Sequence, residues 1–152
     1  MNDRYLYRAK RKNWRELPKE KWWVTGYLVN KKCGKYNTVG FEEFEEMVIV
    51  TQFSDGGIDW FYIDKSTICQ CTGKTDIEKN LIFEHDAVSF LDATSTEYGY
   101  SEQWQVGEVL WDDETASFQV TERLSAESYE VLEDCKVLGN TIDNPELLEV
   151  GE

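Results

Sequence analysis

The sequence predicts a mainly β fold: an N-terminal β portion over residues 1–65 and a C-terminal barrel-like, SH3-like β portion over 66–152 that ends in a short helix. Three observations carry this expectation. Aromatic residues make up 14% of the chain, β-branched residues are frequent, and only two prolines interrupt the backbone, all of which suits strands. Short stretches alternate polar and apolar residues with a period of two. Turn residues separate these stretches at short intervals, the pattern of a small barrel or sandwich.

Taken in order, "RYLYRA" (Arg4–Ala9) alternates and reads as a strand. "KRKNWRELPKE" is polar, and Pro18 stops any helix there. "WWVTGYLV" (Trp22–Val29) reads as the partner strand, with "NKKCGK" as a turn around Gly34. "FEEFEE" (Phe41–Glu46) places apolar residues at i and i+3, the spacing of one helical turn, and leads into the strand "MVIVTQF". "SDGG" is a turn, followed by the strands "IDWFYI" and "STICQCT". "LIFEHDAVSFL" is apolar on both sides of Glu84-His85-Asp86, and "DATSTEYGYSE" (Asp92–Glu102) reads as a flexible loop. "QWQVGEVLW" and "ASFQVTE" around the acidic turn "DDET" form a hairpin, and "CKVLGN" is a last short strand. In "DNPELLE", Asn144 caps a terminal turn with Pro145 at its first position.

Charge narrows the function classes. The chain carries -14 overall. Residues 1–36 hold eleven Lys/Arg against three Asp/Glu, or +8, and residues 37–152 hold five against twenty-seven, or -22. The plain account is internal complementarity, a basic segment packed on an acidic body within one chain or between copies. The functional accounts are that the basic part meets phosphate or that the acidic part imitates it. No window is apolar for long enough to cross a membrane, and the start "MNDRYLYRAKRK" lacks the apolar stretch of a secretory signal. The four cysteines are therefore expected to stay reduced.

Little catalytic chemistry is on offer. Cys69 and Cys71 fall on one face of a strand, too closely spaced for a zinc knuckle, and one histidine completes no Cys/His set. "TGKTD" is no phosphate loop, because the glycine that must precede the Gly-Lys pair by five residues is Ile68. Gly-x-Ser-x-Gly is absent. The acids of "WDDETASF" point alternately to opposite strand faces and lack the spacing of a calcium loop. We expect no enzyme activity, no metal and no cofactor. One segment stands out as a contact surface. Arg4, Arg8, Lys10, Arg11, Lys12, Trp14 and Arg15 interleave cations with rings, as proteins that hold single-stranded nucleic acid do. Against this, the acidic remainder repels phosphate.

Several stretches, in order, resemble the YopX family of small phage and prophage proteins. These are "RYLYRAKR", "WWVTGYLV", "STICQCTGKTDIEKNLIFEHDAVSF", "VGEVLWDDETASFQV" and "VLGNTIDNPELLE". The family carries a run like Thr-Ile-x-Gln-Tyr-Thr-Gly, a turn, then Ile-Phe-Glu-Gly-Asp-Ile-Val. Cys71 departs from the usual Tyr, and His85 from the usual Gly. The resemblance implies a mainly β fold, a phage genome and a bacterial host cytoplasm, but no catalytic residue. It also implies that His85 and Asp86 form a turn with positive φ at His85, a geometry Gly favours. The expected role is a non-enzymatic accessory protein acting through an unidentified protein partner or as a homo-oligomer. The alternatives are an acidic mimic of DNA and a nucleic-acid binder using the basic segment.

Overall fold

A computed structural model describes residues 3–149. Strands hold 57% of the described residues, so the fold is mainly β as the sequence predicts. The chain divides into two compact units, residues 5–70 and a second unit of 71–152 with the first four residues.

The first unit contains β1 (Leu6–Lys10), β2 (Trp23–Asn37), β3 (Gly40–Gln52) and β4 (Ile58–Tyr62), all antiparallel in the order β4-β3-β2-β1. The first residues of β5 (Cys69–Thr75) extend it, with Gln70 opposite Tyr7 and Cys69 opposite Arg8. Beyond β1 and β4 the chain meets itself. Arg11 bridges Ile63, Lys12 N–H donates to the Tyr62 carbonyl at 2.9 Å, and Asp64 N–H to that of Lys10 at 2.8 Å. Strand alternation decides what is buried. Ala9, Val24 and Ile49 face inward with Ile63, backed by Tyr7, Leu28, Met47 and Phe61. The register puts Tyr27, Val29, Val50, Trp60 and Tyr62 on the opposite face. Gly26 is required by close packing, since a Cβ there would sit 2.3 Å from the Val50 carbonyl oxygen.

In the second unit the later residues of β5 pair with β6 (Leu81–Phe83). A four-stranded antiparallel sheet follows in the order β10-β7-β8-β9, from β7 (Asp86–Thr96), β8 (Gly99–Asp112), β9 (Ser117–Val120) and β10 (Lys136–Asn140). This sheet is open, not a closed barrel. The reason lies in its core, where a helix covers the apolar face. Helix α1 (Ser128–Glu133) brings Val131 and Leu132 onto Ile82, Val88, Phe90, Val109 and Val120. α1 starts with a capping box in which Glu127 and Glu130 exchange side-chain and backbone bonds. The terminal "PELLE" is a 3-10 turn, Pro145–Glu149. Among the described residues no helix is long and apolar enough to cross a membrane.

Two segments differ from expectation. "NKKCGK" and "FEEFEE" are not a turn and a helical turn. Both are strand, continuing β2 and β3 to a two-residue turn at Thr38 and Val39. "DATSTEYGYSE" is likewise not a loop but the distal part of the β7–β8 hairpin, turning at Glu97 and Tyr98. In both, backbone pairing continues past the region where side chains are buried. The alternation that reveals a half-buried strand is therefore missing from the sequence.

Candidate functional site

The basic aromatic segment folds onto its own rings. Lys10 and Trp23 stand opposite each other on β1 and β2. The 3-10 turns Trp14–Glu16 and Lys19–Lys21 bring Trp14 and Trp22 over them, with the two rings edge to face at 4.8 Å. The Lys10 ammonium lies 3.8 Å from the Trp14 centroid, 4.5 Å from Trp22 and 5.7 Å from Trp23, and the residue is only 4% exposed. Such contacts reach about 2 kcal/mol where the cation is desolvated. The Trp14 indole N–H donates to Asp64 at 3.2 Å. The Ser66 hydroxyl, donating to that carboxylate at 2.7 Å, is the main cause holding Asp64 below the usual carboxylate range; burial opposes it, and the Trp14 bond and the Arg15 charge add to it.

The other basic residues are placed similarly. The Arg8 guanidinium lies 5.2 Å from the Trp23 ring, Arg11 4.5 Å from Phe61, and Arg15 4.3 Å from Trp14. Lys12 reaches Glu46 at 3.3 Å. Arg4 belongs to the other unit, where its side chain lies over Gly73. The structure thus groups Arg8–Arg15 in one cluster without Arg4. That cluster presents few unstacked rings to an incoming base.

His85 sits in the two-residue turn between β6 and β7 with φ of 70°. Its N–H donates to the Val109 carbonyl at 2.7 Å, and its carbonyl accepts from Thr141 N–H at 2.8 Å. Its Nδ1 stands 3.1 Å from Glu108 Oε2, which also accepts the Thr141 hydroxyl at 2.7 Å. Glu84 lies 3.9 Å from Nε2. The imidazole and its partners thus tie the turn to β8 and to the chain after β10. Asp86 is fully buried and accepts the Phe83 N–H at 2.8 Å.

Two more buried carboxylates went unnoticed in the sequence. Asp92 accepts N–H groups from Leu124, Ser125 and Ala126. Asp76 accepts those of Glu78, Asn80 and Val137. Burial is the largest single influence on each and raises its pKa. The backbone donors together outweigh it, aided at Asp92 by Arg123, and both carboxyls lie below the ordinary range. Both are clasps for loops, and their signal was only an Asp beside a turn. Among the described residues no group of three or more His, Cys, Asp or Glu side chains could hold a metal ion.

Two groups of exposed large apolar side chains lie on hairpins. Past β1 and β4, β2 and β3 run on as a two-stranded ribbon bearing Tyr36, Val39, Phe41 and Phe44. The Phe41 ring covers Gly34, where a Cβ would come 2.3 Å from it. Lysines on β2 face glutamates on β3, Lys31 opposite Glu46, Lys32 opposite Glu45 and Lys35 opposite Glu42. These glutamates offset the basic start of the chain within its own unit. Residues 5–70 hold eleven Lys/Arg against nine Asp/Glu, or +2, and the remainder five against twenty-one, or -16. The second ribbon, from β7 and β8, exposes Leu91, Tyr98, Tyr100 and Trp104. Exposed aromatic residues of this kind mark contact surfaces more than chemistry.

The family model described as YopX protein matches residues 7–149. No curated protein matches the chain.

Proposed function

This chain belongs to the YopX family, and we propose that it is a non-enzymatic accessory protein of a phage or prophage that acts by binding protein in the bacterial host cytoplasm. The observation that carries this reading is the pair of two-stranded ribbons, whose exposed rings include Tyr36, Phe41, Tyr100 and Trp104. Rings at the surface supply large contact area with few rotamers to freeze, the usual core of a protein interface. The test is capture from infected host cells with the full chain, alongside variants carrying Tyr36→Ser with Phe41→Ser, or Tyr100→Ser with Trp104→Ser. A partner retained by the native chain and lost by a ribbon variant supports the reading. Identical capture by all three chains, or none by any, counts against it.

A second reading has its own support. From Glu84 to Glu122 the chain carries ten Asp/Glu and no Lys or Arg. Asp86 and Asp92 are buried, and the other eight, with no cation among them, suit imitation of DNA toward a host nucleic-acid-binding protein. Capture that enriches such a protein, and is abolished by competing DNA, favours this reading over the first. We rank a nucleic-acid interface at Arg8–Arg15 below both, because its cations and rings already satisfy each other.

A further inference from the structure

We propose that the free edge of β8, from Tyr100 to Trp104, is a docking site for an extended basic segment of a partner protein, which adds to the β7–β8 ribbon as a third, antiparallel strand. This rests on the reading that the protein acts by binding protein, and it names the chemistry of the partner.

The backbone supplies the site. β9 pairs with β8 only from Val109 onward. Just before that point, Thr121 N–H donates to the Glu108 carbonyl at 3.1 Å, and Glu108 N–H donates to the Thr121 hydroxyl at 2.9 Å. The backbone of Glu108 therefore faces the β9 side, and strand alternation turns that of Trp104, Glu102 and Tyr100 the same way. Among the described residues nothing bonds to the N–H and C=O groups of these three. Pairing with β7 is unbroken from Thr96 to Ala87, so no bulge disrupts the edge, and no Lys or Pro lies in it. Such an edge is a template for another strand, and main-chain bonding to an added strand is a general mode of peptide recognition. The ribbon gains as well, because two strands alone are marginally stable in water.

Side chains choose the occupant. Those of Tyr100, Glu102 and Trp104 share the face turned away from buried Phe90 and Asp92. Trp104 is 72% exposed and Tyr100 65%. Between the two rings stands the exposed Glu102 carboxylate, which accepts the Tyr100 hydroxyl at 2.5 Å. Neither strand of the ribbon contains Lys or Arg. Of the cations on neighbouring elements, Lys136, opposite Ser89 across β7, is paired with Glu78 at 3.4 Å. Arg123 donates to the carbonyls of Val120 and Ala126, each at 2.8 Å.

A strand laid on this edge places every second side chain directly opposite Tyr100, Glu102 and Trp104. Lys or Arg at those positions meets a carboxylate at the centre and a ring on either side. An acidic strand is repelled. So is the same edge of a second copy, because antiparallel pairing about Glu102 sets that carboxylate against itself.

The test uses the full chain and the capped peptide Arg-Thr-Arg-Thr-Arg-Thr-Arg, followed by titration and by amide hydrogen exchange. The peptide is expected to bind and to slow exchange at the N–H groups of Tyr100, Glu102 and Trp104. Those of Ser101 and Gln103, which face β7, should change little. The same peptide with N-methylated arginine amides keeps its charge and loses the edge bonds, and is expected to bind at least about tenfold more weakly. Glu102→Lys is expected to weaken binding by at least about tenfold as well, with circular dichroism confirming that this surface variant folds. Absence of binding at about 1 mM peptide overturns the proposal. So does equal binding of the N-methylated peptide, which would leave charge attraction alone, or protection that falls outside β8. Edge amides that become protected with rising protein concentration and no peptide would give the edge to a second copy and overturn it too. In each of these cases a host partner lost on Tyr100→Ser with Trp104→Ser can still be captured, so the broader reading fails or stands separately.

Discussion

The Lys10 ammonium lies 3.8 Å from the centre of the Trp14 ring, in a residue that is only 4% exposed. A lysine is almost never so deeply buried without strong compensation. Three indoles and the Asp64 carboxylate bound to Trp14 surround this part of the chain. Lys10→Met keeps the side-chain volume and removes the charge. It is expected to lower unfolding free energy by about 1–2 kcal/mol, the size of a desolvated cation–π contact. Urea unfolding followed by tryptophan fluorescence measures this. A variant more stable than the native chain would mean that burying the charge costs more than the rings return.

Asp92 holds the loop before α1 by accepting three backbone N–H groups. Asp92→Asn keeps the shape and loses the charge, which is expected to cost about 1.5–3 kcal/mol at neutral pH. The pH dependence follows from the lowered carboxyl pKa of Asp92 and Asp76. A group that ionises more easily folded than unfolded stabilises the fold above the usual carboxylate range. That contribution shrinks as pH drops below the unfolded value and is gone below the depressed folded one. Thermal melting midpoints should therefore fall with acid below about pH 5. The fall should be shallower in Asp92→Asn, which has less to lose. Equal slopes in both chains would remove Asp92 from the account.

The mainly β fold was legible because most strands have one buried face. "IDWFYI" shows this in its alternation, "MVIVTQF" shows strand in its β-branched content, and both are strands. The ribbons were not legible. In "NKKCGKYN" and in "DATSTEYGYSE" past Asp92 no side chain is fully buried, so no apolar alternation marks a core face and strand looks like loop. Helix α1 escaped notice for another reason, since six residues are too few for helical periodicity to emerge. The basic aromatic cluster was visible as a composition. That its rings are saturated by Lys10 and Arg15 depends on the fold of Trp14–Trp22 around β1, which no local pattern encodes.

At His85, φ of 70° sets the cost of each replacement. Left-handed backbone costs an L residue about 1–2 kcal/mol, and Gly nothing comparable. His85→Gly and His85→Ala lose the same contact to Glu108, so their difference reports the backbone alone. His85→Gly is expected to be more stable than His85→Ala by about 1 kcal/mol, the reverse of the order inside a regular strand. His85→Val should be less stable than both, as a β-branched residue suffers most at positive φ. Denaturant midpoints for the three chains decide this, and an Ala variant equal to Gly would exclude backbone strain at this turn.

The thiols give a final test of how the second unit is packed. Burial, reinforced by the carboxylates of Asp76, Asp134 and Asp86, pushes the Cys135 thiol up to about 12. Cys135 packs in the core with Val131 and Leu132, and Cys69 and Cys71 are fully buried in β5. Cys33, on the β2–β3 ribbon, is only half-buried. A thiol reacts as its thiolate, and only when a reagent can reach it. Under native conditions at mildly alkaline pH, an excess of a small alkylating reagent is therefore expected to modify Cys33 first. The other three should follow only on unfolding, so that intact mass resolves one adduct before four. Because the buried thiols wait for local opening, adding denaturant below the unfolding midpoint should speed their reaction more than that of Cys33. Modification of Cys135 as fast as Cys33 would mean that α1 does not cover the core in solution.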